Sequence, residues 1–336
     1  MKSILATMTL TMIVVSSAHA QTPAAAKRIK FGIQTGQQDV TYADVVAIWK
    51  EAEALGFDSA WTFDHFMPIR GDRDGPALEA WTLLGALAAQ TSRIRIGSLV
   101  NGNTYRNPAL LAKMAATLDQ ISNGRFELGI GAGWFESEHR AYGFPFYTPK
   151  ERADRLGEAL QVITKLFNED HPSFEGQYYS LFQAPFSPRG IQQPHPPIVV
   201  GGKGKKWIMP LVARYADAWN VPIGVTPKGI ENRREIIRAE CANAGRTRCD
   251  IEVQAFLVLY SITDVPFARD AVRFGARLME DKRVAQSILA GSAKDVTEQI
   301  RGYVDAGATH IIMNIQPPYD ADLLRRFASE VMPNFR

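Results

Sequence analysis

Asp64 and His65 stand side by side where an apolar run, Trp61-Thr62-Phe63, comes to an end. An imidazole titrates near neutral pH and can give or take a proton; a neighbouring carboxylate can orient it or hydrogen-bond to a bound ring. The same histidine could instead be satisfied structurally by a backbone carbonyl. A second polar exit runs Ser98-Leu99-Val100-Asn101-Gly102-Asn103-Thr104, where Asn101 and Asn103 offer amides and the chain offers backbone to a planar ligand. A third, Gly129-Ile130-Gly131-Ala132-Gly133-Trp134, is made of small residues that let a ligand approach the backbone closely. Packing against a helix would explain the same glycines. A fourth, Gly201-Gly202-Lys203-Gly204-Lys205-Lys206, leads into a predicted helix. Free N–H groups there, with three lysines, suit a phosphate or another anion.

Four such exits need a scaffold that gathers strand ends. From residue 29 onward, short runs rich in Val, Ile, Phe and Leu alternate with amphipathic stretches. The runs predict strands at 31–36, 58–65, 94–100, 125–133, 197–202, 218–222, 251–260 and 309–315, each reading as buried on both faces. Thr41 and Asp44 resemble a capping pair for a first helix, whose Val45, Ile48, Trp49, Ala52 and Leu55 share a face and which Gly56 stops. Further helices are predicted to begin near Pro76, Pro108, Pro149, Lys205, Pro227, Ala293 and Tyr319. Strict βα alternation predicts an α/β fold, a closed (β/α)8 TIM barrel, over residues 29–336. An open doubly wound sheet would carry G-x-G-x-x-G after its first strand, and 31–38 has none. Two segments exceed the minimal repeat: 134–196, with a helix and a hairpin near 174–179, and 266–289, with one or two extra helices. Both follow strand C-terminal ends (strands four and seven), where catalytic groups of a barrel gather.

The charge balance sets limits. Lys and Arg number 38 against 35 Asp and Glu, which does not describe a nucleic-acid binder with a concentrated basic patch. Residues 1–20 have a lysine, an apolar stretch and Ala18-His19-Ala20, the layout of a secretory signal peptide, with 21–28 as a flexible leader. Its apolar part is about a dozen residues, short of the roughly twenty that span a bilayer. The expected location is therefore outside the cytoplasm, in the periplasm, with no membrane anchor. Cys241 and Cys249 show no metal-ligand spacing; in an oxidising compartment they either close a short disulfide loop or remain two thiols. No metal site is expected.

Several of these stretches together resemble the bacterial-luciferase-like oxidoreductases. The likeness is carried by Asp64-His65, by Tyr105-Arg106-Asn107-Pro108-Ala109-Leu110-Leu111-Ala112-Lys113, by Ala116-Thr117-Leu118-Asp119 and by Ser122-Asn123-Gly124-Arg125. The run Gly129 to Trp134 followed by Glu138, and Pro196-Pro197-Ile198-Val199-Val200-Gly201-Gly202, complete it in the right order. The Asp-His pair and the glycine turn ending in Trp134 look most like the branch that uses the deazaflavin coenzyme F420, with FMN as the alternative. The resemblance implies an isoalloxazine-like ring in the barrel mouth, with Asp64 and His65 as catalytic residues beside it. It implies a cis peptide at Leu99–Val100 against the ring, and further coenzyme contacts from Asn101, Asn103, Gly133, Trp134 and Glu138. Gly201, Gly202 and Gly204 would hold the coenzyme phosphate, with Lys203 or Lys205 at its anionic tail. Relatives that oxidise a sugar phosphate carry Glu where this chain has Trp134, which counts against that activity here. The implied function is hydride transfer to or from, or monooxygenation of, a small organic substrate; relatives are often homodimers. The rival reading is an exported barrel that binds a flavin-like or anionic ligand without turnover. A glycosidase-like hydrolase would need two opposed carboxylates, which these strand ends lack.

Overall fold

Among the described residues eight strands build the barrel wall. They are β1 (Lys30–Thr35), β2 (Ser59–Thr62), β3 (Arg95–Ser98), β4 (Phe126–Gly131), β5 (Ile198–Gly201), β6 (Ala218–Val221), β7 (Glu252–Leu259) and β8 (His310–Ile315). Each pairs in parallel with the next, and β8 returns to β1, so the sheet closes into a (β/α)8 barrel as expected. This computed structural model describes residues 28–265, 270, 272 and 284–336. The expected signal peptide, nearly all of the leader and most of the insertion at 266–289 lie outside the described residues.

Alternation along the strands gives two cores. Phe31, Ile33, Ala60, Ile96, Leu128, Val200 and Ile311 point outward beneath the helices. Trp61, Leu99, Val199, Ala218 and Ile312 fill the barrel interior. Below that apolar layer the N-terminal end is plugged by polar side chains. His310 bonds Ser59 Oγ at 2.8 Å and Glu252 at 3.1 Å, and Lys30 pairs with Glu252 at 2.6 Å. The open end is therefore the C-terminal one.

Among the described residues the α-helices are α1 (Tyr42–Ala54), α2 (Ala80–Gln90), α3 (Pro108–Ile121), α4 (Glu136–Ala141), α5 (Pro149–Asn168), α6 (Met209–Tyr215), α7 (Pro227–Asn243), α8 (Ala293–Asp305) and α9 (Ala321–Arg326). Those expected at Pro108, Pro149, Pro227 and Ala293 begin there, and Thr41 and Asp44 form a reciprocal capping box on α1. Three begin later than expected. Residues 76–78 bond instead to the β1 exit (Asp39 N to Pro76 O, Leu78 N to Gln37 O), so α2 waits for Glu79, whose carboxylate caps Trp81 and Thr82. After β5 the chain makes a turn closed by Ile208 N and Met209 N on Gly204 O, so α6 starts at Met209 rather than Lys205. Tyr319 spends its hydroxyl on Gly36 O, and Asp320 caps α9 from Ala321. The 134–196 insertion holds two helices where one was expected, α4 being the addition; its hairpin pairs Phe174–Glu175 with Ser180–Leu181.

Cys241 and Cys249 are joined, their Cα atoms 5.9 Å apart, tying the end of α7 to the approach to β7. Closing so short a loop is worth roughly 2–3 kcal/mol through the unfolded chain. Alkylation of the unreduced protein should leave both residues unmodified in the mass spectrum. Cys249→Ser should lower the urea-unfolding free energy by about 2 kcal/mol. Two alkylated thiols, or equal stabilities, would contradict the bridge.

Candidate active site

His65 leaves β2 three residues past its end, under a ring of aromatic side chains. Phe63 lies 5.1 Å from the imidazole, Phe135 5.6 Å and Trp134 5.7 Å, centroid to centroid. Only 9% of the residue is exposed, whereas Trp134 is 62% exposed on the lip of the mouth. The imidazole Nδ1 meets Glu138 Oε2 at 2.9 Å. A carboxylate there requires the proton on Nδ1, leaving the Nε2 lone pair without a partner among the described residues.

Glu138 is fully buried at the middle of the short helix α4. Besides His65 it accepts from Phe66 N at 2.7 Å, Met67 N at 3.3 Å and the Tyr105 hydroxyl. Burial alone would push its carboxyl up, but the bonds from His65, Tyr105 and Phe66 outweigh that and hold it below the ordinary range. Burial and the Glu138 carboxylate together push the Tyr105 phenol up, so it stays a donor. Next along α4, His139 donates from Nδ1 to Phe135 O at 2.8 Å while Nε2 meets Thr104 Oγ1 at 2.6 Å. Burial lowers its pKa, so the ring is neutral and fastens α4 to the β3 exit. Glu138 was expected at the coenzyme; with all these donors it is spent on the protein and orients His65.

Asp64 does not orient His65. Its Oδ2 accepts from Arg106 Nη1 at 2.7 Å and Gly102 N at 3.0 Å, and its buried Oδ1 has no partner among the described residues. Burial pushes the Asp64 carboxyl up, and the opposing pull of Arg106 and the Gly102 N–H does not cancel it. Arg106 reaches Glu79 with its other nitrogen at 3.0 Å, so the cap of α2 also holds the arginine that pins Asp64. Sequence reasoning gave no role to Tyr105 or Arg106. Their position directly after a barrel strand, polar residues ahead of an apolar helix, was the available signal.

The Leu99–Val100 peptide is cis, as the resemblance implies. Val100 then lies between the inner faces of β4 and β5. A Cβ on Gly131 would sit 2.8 Å from a Val100 methyl, and one on Gly201 within 2.9 Å of both. Only glycine admits this crossing. Gly201→Ala should therefore displace Val100, cost about 1–3 kcal/mol and weaken ring binding. Thermal unfolding alongside coenzyme titration reads both, and a variant with wild-type values in each would contradict the cradle.

The other expected contacts divide. Asn103 is buried, its Oδ1 without a partner among the described residues and its Nδ2 on Tyr179 of the hairpin at 3.3 Å. Asn101 is taken at both ends, Oδ1 by Trp81 Nε1 at 2.7 Å and Nδ2 by Gly129 O at 2.5 Å, so its side chain braces the barrel. Gly133 lies beside Thr104 and gives its carbonyl to Arg152. Beyond β5, Gly202 N is used by Asn220 O, while the N–H groups of Lys203 to Trp207 meet no acceptor among the described residues. Arg233 Nε rests on Lys203 O at 2.9 Å, adding a fourth cation to Lys203, Lys205 and Lys206. A helix of only seven residues follows, so this turn attracts anions through its lysines and amides more than through a dipole.

Comparison with known proteins places this geometry. A family model described as luciferase-like monooxygenase matches residues 25–276. The chain is 32% identical over 337 residues to the F420-dependent glucose-6-phosphate dehydrogenase of Kineococcus radiotolerans, covering 92% of this chain and 97% of that one. Among solved structures, an F420-dependent secondary alcohol dehydrogenase in complex with an F420-acetone adduct superposes with TM-score 0.77 at 23% identity, over 92% of this chain and 98% of that. The monooxygenase RslO1 from Streptomyces bottropensis does so with TM-score 0.75 at 20% identity, over 92% and 100%. The match over most of the length, on a closed barrel with an aromatic-walled mouth, makes this chain a member of the luciferase-like monooxygenase family.

Proposed function

We propose that the protein is an F420-dependent oxidoreductase that exchanges a hydride with a small organic substrate, His65 handling the accompanying proton. The observation that carries this reading is the His65–Glu138 pair: a buried carboxylate holds Nδ1–H and leaves Nε2 free at the mouth. The residues present also fit the coenzyme. The Val100 methyls cover the inner faces of Gly131 and Gly201, so one small side chain on bare backbone forms the surface a flat ring would meet. Asp64 Oδ1 and Asn103 Oδ1 are buried acceptors without partners, and the lysine-rich turn after β5 suits a phosphate tail. A deazaflavin or flavin supplies hydride chemistry when bound, which no side chain here does.

The protein's own part is proton handling and positioning. In oxidation of an alcohol, the hydroxyl proton passes to His65 Nε2 as the carbinol hydride leaves. Glu138 then faces an imidazolium 2.9 Å away and compensates its charge. In reduction, the same Nε2 returns the proton. Arg106 fixes Asp64, whose Oδ1 has no hydrogen-bond partner among the described residues. F420 is favoured over FMN by the 32% identity to an F420-dependent enzyme along nearly the whole chain. The solved monooxygenase RslO1, at 20% identity, shows likeness of fold alone. A barrel that binds without turnover is disfavoured, because the relatives named above are enzymes.

Equilibrium titration with F420 and FMN, each oxidised and reduced and followed by absorbance, tests the reading. Tight binding of F420 alone is expected; preference for FMN would move the protein to the monooxygenase side, and binding of neither would end the redox reading. Export to the periplasm is part of the proposal, resting on residues 1–20, and N-terminal sequencing of the mature protein should begin at Gln21. A homodimer, proposed from the resemblance alone, is checked by light scattering.

A further inference from the structure

The inner faces of β1 and β8 carry amides that the mechanism above does not use. Ile312 packs into the barrel interior while Ile311 and Met313 pack outward. By alternation Asn314 points inward, nearer the mouth than Ile312, and Gln34 in register on β1 points the same way. Asn314 Nδ2 donates to Gln34 Oε1, and Gln316 Nε2 donates to Asn314 Oδ1. One chain of three amides thus runs from buried Gln34 and Asn314 to half-buried Gln316 at the lip. Its ends, Gln34 Nε2 and Gln316 Oε1, have no partner among the described residues, and neither is among the polar atoms sealed from solvent.

The β1 exit that follows Gln34 is tied to the strand end that carries His65. Gln37, just past β1, exchanges two hydrogen bonds with the Phe63 backbone, at 2.5 and 3.1 Å, and the Phe63 ring lies 5.1 Å from His65. The amides carry no net charge. The strand exits on their side, 36–41, 222–226, 260–264 and 316–320, contain no Lys or Arg. The amides themselves offer a phosphate no counter-charge, which burial penalises heavily. An amide chain also has a property that a lone donor lacks. Turning all three amides over reverses each bond and swaps the ends, with no hydrogen bond lost. Gln34 can thus present either a donor or an acceptor.

Resting on the coenzyme reading above, we propose that Gln34, Asn314 and Gln316 form the substrate subsite and take the oxygen of an uncharged alcohol or ketone. Oxidation removes the hydroxyl proton to His65 Nε2 and the carbinol hydride to the coenzyme, while the oxygen accepts from Gln34 Nε2 before and after. The same amide donor therefore holds both members of that pair. Neutral amides and Trp134 both favour an uncharged substrate over a sugar phosphate.

Side-chain amide 15N–1H spectra of the full chain, assigned by single substitutions, read the subsite without turnover. Cyclohexanol and cyclohexanone should shift the Gln34 and Gln316 signals, while glucose 6-phosphate should not. Asn314→Leu, which breaks the chain at its middle, should weaken cyclohexanol about tenfold, the worth of one hydrogen bond, and leave F420 affinity within about twofold. Gln316→Leu, at the half-buried lip, should do the same and serves if Asn314→Leu fails to fold. Shifts caused by glucose 6-phosphate, shifts caused by F420 alone, or unchanged cyclohexanol affinity in the variant that folds would overturn the subsite. Failure of F420 to bind at all would overturn the coenzyme reading instead, and the alcohol titration separates the two.

Discussion

Replacing His65 with alanine is expected to cut turnover by about 10²–10³-fold, the usual worth of a positioned acid or base. The loss should fall on kcat, with F420 affinity nearly unchanged, because the imidazole contributes a proton site at Nε2 and the coenzyme's expected seat is the Val100–Gly131–Gly201 surface. The contacts of His65 with Phe63, Phe135 and Trp134 are edge-on or tilted, so removing one small ring should leave the aromatic wall standing. Steady-state kinetics together with coenzyme titration separate the two effects. A variant that keeps its kcat removes His65 from the chemistry; one that loses F420 binding along with activity shows that the imidazole is part of the ring seat.

The second large effect belongs to Glu138. Glu138→Leu leaves His65, Tyr105 and two backbone N–H groups facing a hydrocarbon, and stability should fall by about 3–5 kcal/mol. Glu138→Gln keeps the volume and one acceptor but loses the charge that compensates a protonated His65; turnover should drop about 10–100-fold with the fold retained. The sign of the pH effect follows from the direction of the shift. A carboxyl held below its ordinary value of 4.5 adds stability that is fully present above that value and is lost as pH falls through the depressed one. Glu138→Gln should therefore lose less stability than wild type on acidification below about 4.5, as read by urea unfolding across that range. Equal acid sensitivity in the two proteins would show that the four donors do not hold the carboxylate.

Much of this was legible in the residues. Eight apolar runs and capped helices announced a closed barrel, because burial on both strand faces and βα alternation are local properties of the chain. Asp64-His65, the glycines after β4 and β5, and Trp134 announced the mouth, because a barrel places whatever follows its strands at one end. What the sequence hid was partnership. Nothing at the level of spacing says that Glu138, 73 residues from His65, takes its Nδ1, while adjacent Asp64 turns away to Arg106. The six-residue helix α4 that delivers Glu138 is too short to show a period. Asn101 looked like a ligand amide and proves to be a brace between Trp81 and Gly129, a role fixed by side chains that fold back from other elements. The delayed starts of α2, α6 and α9 have the same origin: each first turn was outbid by a bond to another strand's exit or by a tighter local turn.

A crystal structure of the protein with F420 bound tests the central claim most directly. The ring is expected against Val100, across Gly131 and Gly201, with His65 Nε2 open beside it, Nδ1 still on Glu138, and the phosphate near Lys203. A ring seated elsewhere, or an imidazole turned to give Nε2 to Glu138, would contradict the account.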